Sequence, residues 1–358
     1  MTVKRCLCIL YVALLASCSY PECGSETVAD CIQDDAAEKI ARAKLLFAGD
    51  VMCHMPQVYA ARTDGGYDFR PVFEFVKPYF ERADAAIVNL ETVVSPNGRY
   101  SGYPSFASPA EFAAALKWAG VDIAVMANNH CCDRGRRGIM ATTHCLDTLG
   151  ISRTGVFRDD ADRLSRNPLR FDCGGIAFAL LNYTYGTNGL DVPNGCYVNL
   201  TDTAVMRQDL RRAADADCIV VCMHWGDEYV RKANRQQRRL ADFLHRNGAD
   251  IVIGSHPHVI QPADAACGRI TVWSLGNFVS NQRKRFCDGG LMAEVDVEKR
   301  NANDVRCRLT LIPVWVSLPN YRIITPDADN ELPGAETADY ELFMRDTEKL
   351  LSSGADTQ

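Results

Sequence analysis

Six short segments of the chain combine histidine, carboxylate and amide side chains. Five of the seven histidines fall in these segments, whereas His144 and His245 sit in helix-like stretches and are expected to be structural. Carboxylate oxygen, amide oxygen and neutral imidazole are the groups that hold divalent ions such as Zn, Mn or Fe. The segments are GDVMCH (49–54), NLE (89–91), ANNHCCD (127–133), HWGDEY (224–229), GSHPH (254–258) and SLGNF (274–278).

A centre of two divalent ions a few ångströms apart needs one shared carboxylate and about three further ligands for each ion. A lone histidine after a strand is more often a core or capping residue, but the segments together predict such a centre. His54 is an additional candidate ligand. The side chains that supply the main set are Asp50, Glu91, Asn129, His224, His256 and His258.

Each segment lies at the end of a short apolar run that is typical of a buried strand. Helix-period stretches lie between several runs, and this alternation favours a parallel-rich α/β architecture. In such sheets, sites form at the carboxyl ends of the strands. The strand-like runs are 44–48, 85–90, 123–127, 176–182, 218–223, 250–253 and 270–275. The helix-like stretches are 71–82, 109–119, 138–149, 201–214 and 234–247.

The C-terminal part of the chain is richer in strand patterns. Apolar runs at 291–297 and 305–316 precede a last amphipathic stretch at 337–351. We expect antiparallel strands that complete a second sheet or an edge. Since no repeat or linker follows Ala43, residues 44–358 are predicted to form one domain.

The N-terminus has the pattern of an export signal. Lys4 and Arg5 precede an apolar stretch over 7–16, which is too short to span a bilayer. Residues 15–18 (LASC) resemble a bacterial lipobox, so we expect a signal peptide at 1–17, a lipid anchor on Cys18 and a polar tether over 18–43. A plain cleaved signal or a buried apolar segment is the alternative. The expected location is the cell envelope, periplasmic or at the cell surface.

The charge balance argues against nucleic acid as a partner. The net charge is −6 and the isoelectric point is about 5.7, whereas binding to phosphate backbones rests on clustered Lys and Arg. A local basic cluster follows the ANNHCCD segment, and its arginines are predicted to contact an anionic substrate. A solvated surface is the alternative. The cluster consists of Arg134, Arg136 and Arg137.

The order of these segments resembles the calcineurin-like metallophosphoesterase superfamily, and more closely its poly-γ-glutamate capsule synthesis branch, the CapA family. The resemblance covers about residues 44–278 and includes GDVM, NLE, YPSFASP (103–109), NNHCCDRGRRG, HWGDEY, GSHPHVIQ and SLGNF. It implies a two-sheet sandwich flanked by helices, an α/β/β/α arrangement of the α/β class, with the metals at the sheet ends.

The resemblance also implies roles for individual residues. Asp50 and His258 would hold the first metal, and Glu91 would bridge. The second metal would then be held by Asn129, His224 and His256. His130 matches the position that protonates the leaving oxygen, and Asp133 is placed to orient it. The residues expected to bind substrate are Arg134, Arg136, Arg137, Glu228, Tyr229 and Asn277.

Two positions depart from the superfamily pattern. Met52 stands where a histidine usually follows the first aspartate, and His54 comes two residues later. Glu91 stands where an aspartate usually bridges, so the carboxylate is one methylene longer. These departures weaken the expectation of ordinary phosphatase activity more than that of metal binding.

The leading interpretation is a dinuclear metal-dependent hydrolase or transferase that acts on an anionic substrate, phosphorylated or poly-γ-glutamyl, in capsule or surface polymer synthesis. Other capsule synthesis proteins are candidate partners. The alternatives are a non-catalytic polymer-binding or assembly subunit that retains the metal site, and a general secreted phosphodiesterase.

Overall fold

The structure, a computed structural model, describes residues 13–14, 40–266, 268–302 and 304–354. Cys18 and most of the predicted signal peptide and tether lie outside these residues. The first long strand begins at Ala41, three residues before the predicted start of the domain. Within the described ranges, no helix has the length and apolar character needed to cross a bilayer.

The first sheet has nine strands, parallel on one side of its centre and antiparallel on the other. Its main path is β1 (Ala13–Leu14), β18 (Asp304–Ser317), β17 (Gly289–Asn301), β2 (Ala41–Val51), β5 (Ala85–Leu90), β6 (Ile123–Val125) and β7 (Ser152–Thr154). Off this path, β16 (Asn277–Val279) pairs with β2 and β19 (Arg322–Ile324) with β18. The strands from β2 to β7 are parallel neighbours, whereas β17 runs antiparallel to β2.

The second sheet has six strands, of which the inner four are parallel. Its order is β14 (Ile260–Ala266), β15 (Arg269–Leu275), β13 (Ile251–Ser255), β12 (Cys218–His224), β10 (Ile176–Thr184) and β9 (Leu169–Cys173). Two small ribbons pair β3 (Arg62–Thr63) with β4 (Gly66–Tyr67), and β8 (Val156–Phe157) with β11 (Tyr197–Val198).

Most helices cover the outer faces of the sheets, whereas the last one packs Tyr340 and Phe343 into the apolar layer between them. The helices are α1 (Met55–Ala60), α2 (Arg70–Phe73), α3 (Lys77–Glu81), α4 (Ala110–Ala119), α5 (Gly135–Leu149), α6 (Asp160–Arg166), α7 (Thr203–Ala213), α8 (Arg235–Arg246) and α9 (Thr337–Gly354), with a 3₁₀ helix at Pro326–Glu331. Side chains cap the starts of α7 and α8, where Asp202 and Asn234 accept hydrogen bonds from backbone N–H groups of the first turn.

The alternating side chains of the strands build three apolar layers. Leu45 and Phe47 of β2 pack between the two sheets, and Leu46 and Ala48 pack against the helices on the other side. The outer face of the second sheet, with Val221, packs against α7 and α8. This α/β/β/α sandwich confirms the predicted fold class.

One expectation about the elements is wrong, and another is met by one of its two alternatives. The helix expected over 71–82 is two short helices, because Pro78 lacks a backbone N–H and is accommodated only at the start of α3. For the C-terminal strands, which were expected to complete a second sheet or an edge, the structure shows the edge. They extend the first sheet there as antiparallel strands, since β17 pairs along β2, with Ala293 opposite Phe47.

Candidate metal centre

The six polar segments meet at one end of the sandwich, where parallel strands of both sheets end. Asp50 lies near the end of β2, Glu91 follows β5, and His224 is the last residue of β12. His256 follows β13 directly. The close approach at this end depends on Gly49, because a Cβ there would lie 2.1 Å from the backbone oxygen of Gly276.

The predicted ligands form two groups that share one carboxylate. Asp50, Glu91 and His258 have ligand atoms within 4.8 Å of one another, and the same holds for Glu91, His224 and His256. All five residues are buried. Glu91 therefore belongs to both groups, and its bridging role stays a prediction.

The amide of Asn129 joins the second group. Its Oδ1 lies 2.9 Å from Nε2 of His224, and its Nδ2 donates to Oδ1 of Asn188 at 3.2 Å. The structure thus brings together all six residues of the predicted main set.

The spacing and the missing hydrogen bonds of this cluster fit a divalent ion. Oε1 of Glu91 lies 3.7 Å from Nε2 of His224 and 3.8 Å from Nε2 of His258. Two ligand atoms, each about 2.1 Å from a tetrahedral ion, lie roughly 3.4 Å apart. Among the described residues, neither Oε1 of Glu91 nor Nδ1 of His256 has a hydrogen-bond partner, although both atoms are buried. Bound cations would satisfy these atoms.

Burial keeps the histidines in the form that binds metal. It lowers the pKa of His224 well below the usual 6.5, and lowers that of His256 to about 4. Burial and the charge of Asp50 raise the pKa of Glu91. The imidazoles are therefore neutral at pH 7, and the buried carboxylate lacks a compensating positive charge that an ion would supply.

Asn89 and Asn277 position these ligands. Nδ2 of Asn89 donates to Oδ1 of Asp50 at 2.8 Å and to Oε2 of Glu91 at 3.2 Å. Oδ1 of Asn277 lies 3.1 Å from Nδ1 of His258, and its Nδ2 donates to the backbone oxygen of Cys287 at 2.7 Å. Asn277 is fully buried and contacts His258, and its predicted role in substrate binding stays a prediction.

A histidine–aspartate pair lies beside the second group. Nδ1 of His130 is 2.9 Å from Oδ2 of Asp133, which also accepts the backbone N–H of Phe106 at 2.6 Å. The ring of Phe106 meets that of His130 edge-on, with centroids 4.7 Å apart. Asp133 thereby fixes the orientation of the imidazole, whereas the role of His130 in proton transfer stays a prediction.

His54 lies on the other side of Phe106, with ring centroids 5.0 Å apart. Its Nδ1 accepts the backbone N–H of Asn281 at 3.2 Å and lies 3.2 Å from Oε1 of Gln57. Burial lowers its pKa to about 4. In the part of the chain that the structure describes, His54 belongs to neither ligand group, so its role as a ligand stays a prediction.

The predicted anion-binding arginines differ in their surroundings. Arg134 donates to the backbone oxygens of Phe106 and Ser105 and to the hydroxyl of Ser101, so it holds the segment that covers His130. Arg136 donates to the backbone oxygen of Asn194 at 2.8 Å. Arg137 is exposed. Arg134 and Arg136 therefore brace loops, and the anion-binding role stays a prediction.

Aromatic side chains border the open face of the centre. The ring of Tyr185 lies 4.6 Å from that of His256, and the ring of Tyr229 lies 6.2 Å from that of His258. Both tyrosines are about half exposed, at 47% and 40%. Lys284 lies over Tyr229, with its Nζ 4.3 Å from the ring centroid. Tyr185 carried no local signal in the sequence.

Glu228 also lies at this open face. Its carboxylate forms a third candidate group with His256 and His258, although the sequence predicted only a substrate contact.

Comparison with known proteins places this chain among capsule synthesis proteins. The family model for the bacterial capsule synthesis protein PGA_cap matches residues 44–282. The PGA biosynthesis protein CapA of Bacillus subtilis (strain 168) is 29% identical over 245 residues, which cover 66% of this chain and 63% of that protein. The capsule biosynthesis protein CapA of Bacillus anthracis is 29% identical over 226 residues, which cover 59% and 54%. The chain thus spans less than two thirds of either relative.

Solved structures with a partly similar arrangement include two proteins of Thermus thermophilus. The sulfate thiohydrolase SoxB, in complex with glycerol, aligns with a TM-score of 0.45 and 14% identity over 85% of this chain and 59% of its own. A 5'-nucleotidase precursor aligns with a TM-score of 0.41 and 13% identity over 80% and 55%.

The family match covers the six polar segments, from the GDVMCH segment through SLGNF, and these carry the ligand groups described above. The chain therefore belongs to the PGA_cap family of bacterial capsule synthesis proteins.

Proposed function

We propose that this chain is a divalent-metal-dependent hydrolase or transferase that acts on an anionic substrate, phosphorylated or poly-γ-glutamyl, in the synthesis of a capsule or surface polymer. The observation that carries the proposal is the position of Glu91, a buried carboxylate that belongs to both ligand groups. The names of the two CapA relatives support the capsule context, with other capsule synthesis proteins as partners.

The chain's own residues supply the parts of such a reaction. Asp50, Glu91 and His258 would hold one ion, and Glu91, His224, His256 and Asn129 the other. The ions would supply Lewis-acid stabilisation of the negative charge that develops on the substrate.

His130 and Asp133 supply the proton that the leaving oxygen takes up. Because Asp133 accepts the hydrogen bond of Nδ1, Nε2 of His130 is the atom that gives a proton to the leaving oxygen. Phe106 packs edge-on against the imidazole and keeps water from that side. Tyr185 and Tyr229 flank the open face, where the substrate enters.

Elemental analysis of the purified protein tests the proposal. We expect about two divalent ions per chain and turnover of a generic phosphodiester. The double variant His256→Ala, His258→Ala should lose both ions and the turnover, because it removes one histidine from each ligand group. The control is His144→Ala on the exposed side of α5. A folded parent that takes up no metal after reconstitution would favour a non-catalytic assembly subunit.

We also propose that the protein is exported and lipid-anchored through Cys18, as the sequence pattern indicates. Cys18→Ala should move the protein from the membrane fraction to the soluble fraction, since the variant lacks the acceptor for the lipid. Ser19→Ala, which leaves the cysteine in place, should stay with the membrane. A parent protein that keeps Met1 and fractionates with the soluble proteins would refute the anchor.

A further inference from the structure

The turn after β12 is tied to the loop that carries two of the ligand histidines. The backbone N–H of Trp225 donates to the oxygen of Ser255 at 3.2 Å, and that of Tyr229 donates to the oxygen of Pro257 at 2.8 Å. These two bonds hold the segment between them, including Glu228, against His256 and His258. Glu228 itself is exposed.

Both loops keep a backbone conformation that side chains rarely adopt. The φ angles are 98° at His256, 57° at His258 and 66° at Tyr229. Non-glycine residues at positive φ cost of order 1 to 3 kcal/mol each and cluster at ligand-binding sites. Three of them lie on these two facing loops.

Glu228 lies near one histidine of each candidate ion site. One of its carboxylate oxygens lies within 4.8 Å of a ring nitrogen of His256 and within 4.8 Å of a ring nitrogen of His258. These two nitrogens also lie within 4.8 Å of each other. His258 belongs to the ligand group of Asp50, whereas His256 belongs to that of His224. Glu228 therefore faces the pair of sites from the solvent side, as the buried Glu91 does from the interior.

The buried imidazole of His256 also points to a ligand at this place. His256 is 97% buried, being 3% exposed, and its Nδ1 has no hydrogen-bond partner within the described residues. A buried polar atom without a partner costs about 1 to 3 kcal/mol. A cation between this imidazole and a carboxylate would satisfy both groups.

We infer that Glu228 is a further metal ligand, a carboxylate that closes the solvent side of the centre until an anionic substrate oxygen displaces it. The inference rests on the metal centre of the proposed function. A third carboxylate beside Asp50 and Glu91 lowers the net positive charge of the centre by one. It therefore strengthens metal binding and weakens the binding of a competing anion.

The variant Glu228→Gln tests this assignment, because glutamine keeps the size of the side chain and removes its charge. We expect the affinity for Zn²⁺ or Mn²⁺, measured by competition with a chromogenic chelator, to fall about tenfold or more for one ion. Binding of inorganic phosphate to the metal-loaded variant, measured by calorimetry, should become a few-fold tighter. A carboxylate that does not touch the ions would leave the metal affinity close to that of the parent.

Asp227→Asn is the matched control. Asp227 is the adjacent exposed acid, and its Oδ2 accepts a hydrogen bond from Nδ2 of Asn234 at 2.8 Å, which an amide oxygen can still accept. The control loses the same charge, and we expect it to bind both ions as the parent does.

Unchanged metal affinity in Glu228→Gln would overturn the inference and leave the proposed function intact. An equal loss in Asp227→Asn would also overturn it, because the effect would then be one of surface charge. A parent that binds no metal at all would overturn the inference together with the proposed function.

Discussion

Glu91→Gln is expected to abolish metal uptake and, in the same protein, to stabilise the metal-free fold at neutral pH. The shared carboxylate belongs to both ligand groups, so its loss removes a charged ligand from each ion. Without metal, the same carboxylate is a buried charge close to that of Asp50, and burial with this neighbour raises its pKa well above the usual 4.5. Glutamine lacks the charge that makes this burial unfavourable.

The direction of the pH dependence follows from the raised pKa. The folded state holds the proton of Glu91 more tightly than the unfolded state does, so the stability from the protonated form is complete below about pH 4.5. That stability is lost as the pH rises through the higher pKa of the folded state. The metal-free parent should therefore weaken with rising pH, and Glu91→Gln should remove this part of the loss.

Urea unfolding of the metal-free proteins at pH 5 and pH 8 measures the difference. At pH 8 we expect the free energy of unfolding of Glu91→Gln to exceed that of the parent by about 1 to 3 kcal/mol, with a smaller gap at pH 5. Metal added to the parent should make it more stable than Glu91→Gln, because a ligand that binds only the folded state stabilises that state.

Glu348→Gln is the control, since Glu348 is exposed on α9 and the same exchange there should change neither metal content nor stability. A metal-free Glu91→Gln protein that is less stable than the parent would contradict the prediction, because the amide oxygen of glutamine can still accept the hydrogen bond from Asn89 and only the charge is lost. Retention of both ions in Glu91→Gln would mean that Glu91 is not a metal ligand.

The candidate ligand set could be predicted because each of its residues lies within a few positions of a strand end. The apolar runs that stop at Asp50, Glu91 and His224 give both the strand and the place where it ends. In a parallel α/β arrangement these ends meet. Local pattern and tertiary position therefore agree for the metal site and for the sandwich that carries it.

Other features depend on contacts that no local pattern encodes. Asn277 belongs to the SLGNF segment, but only the packing of β16 beside β2 shows that its amide holds His258 in place. Glu228 reaches the centre through the bond from Tyr229 to Pro257, which joins residues far apart in the sequence. The apolar runs of the C-terminal strands predicted that they are strands. The sheet that they join depends on the pairing of β17 with β2, which the sequence pattern does not show.

His130→Ala is expected to leave both ions in place and to slow turnover of an alkyl phosphodiester by about 10² to 10⁴. His130 is not a member of either ligand group among the described residues, so its removal should not change the metal content. An alkoxide is a poor leaving group and needs a proton in the transition state, which Nε2 of the histidine supplies. Steady-state kinetics with parallel elemental analysis measures both effects, and His144→Ala serves again as the control.

The dependence on the leaving group distinguishes an acid from a merely structural histidine. A nitrophenolate leaves without protonation, so the loss in His130→Ala should be far smaller for a nitrophenyl ester than for an alkyl ester. Asp133→Asn should show the same pattern in weaker form, because an amide oxygen can still accept the N–H of Phe106 but a carboxylate no longer orients the imidazole. Equal losses for both esters would indicate that His130 shapes the site around Phe106 and Asn129. The proton would then have to come from another group on the open face, for which Tyr185 and Tyr229 are candidates.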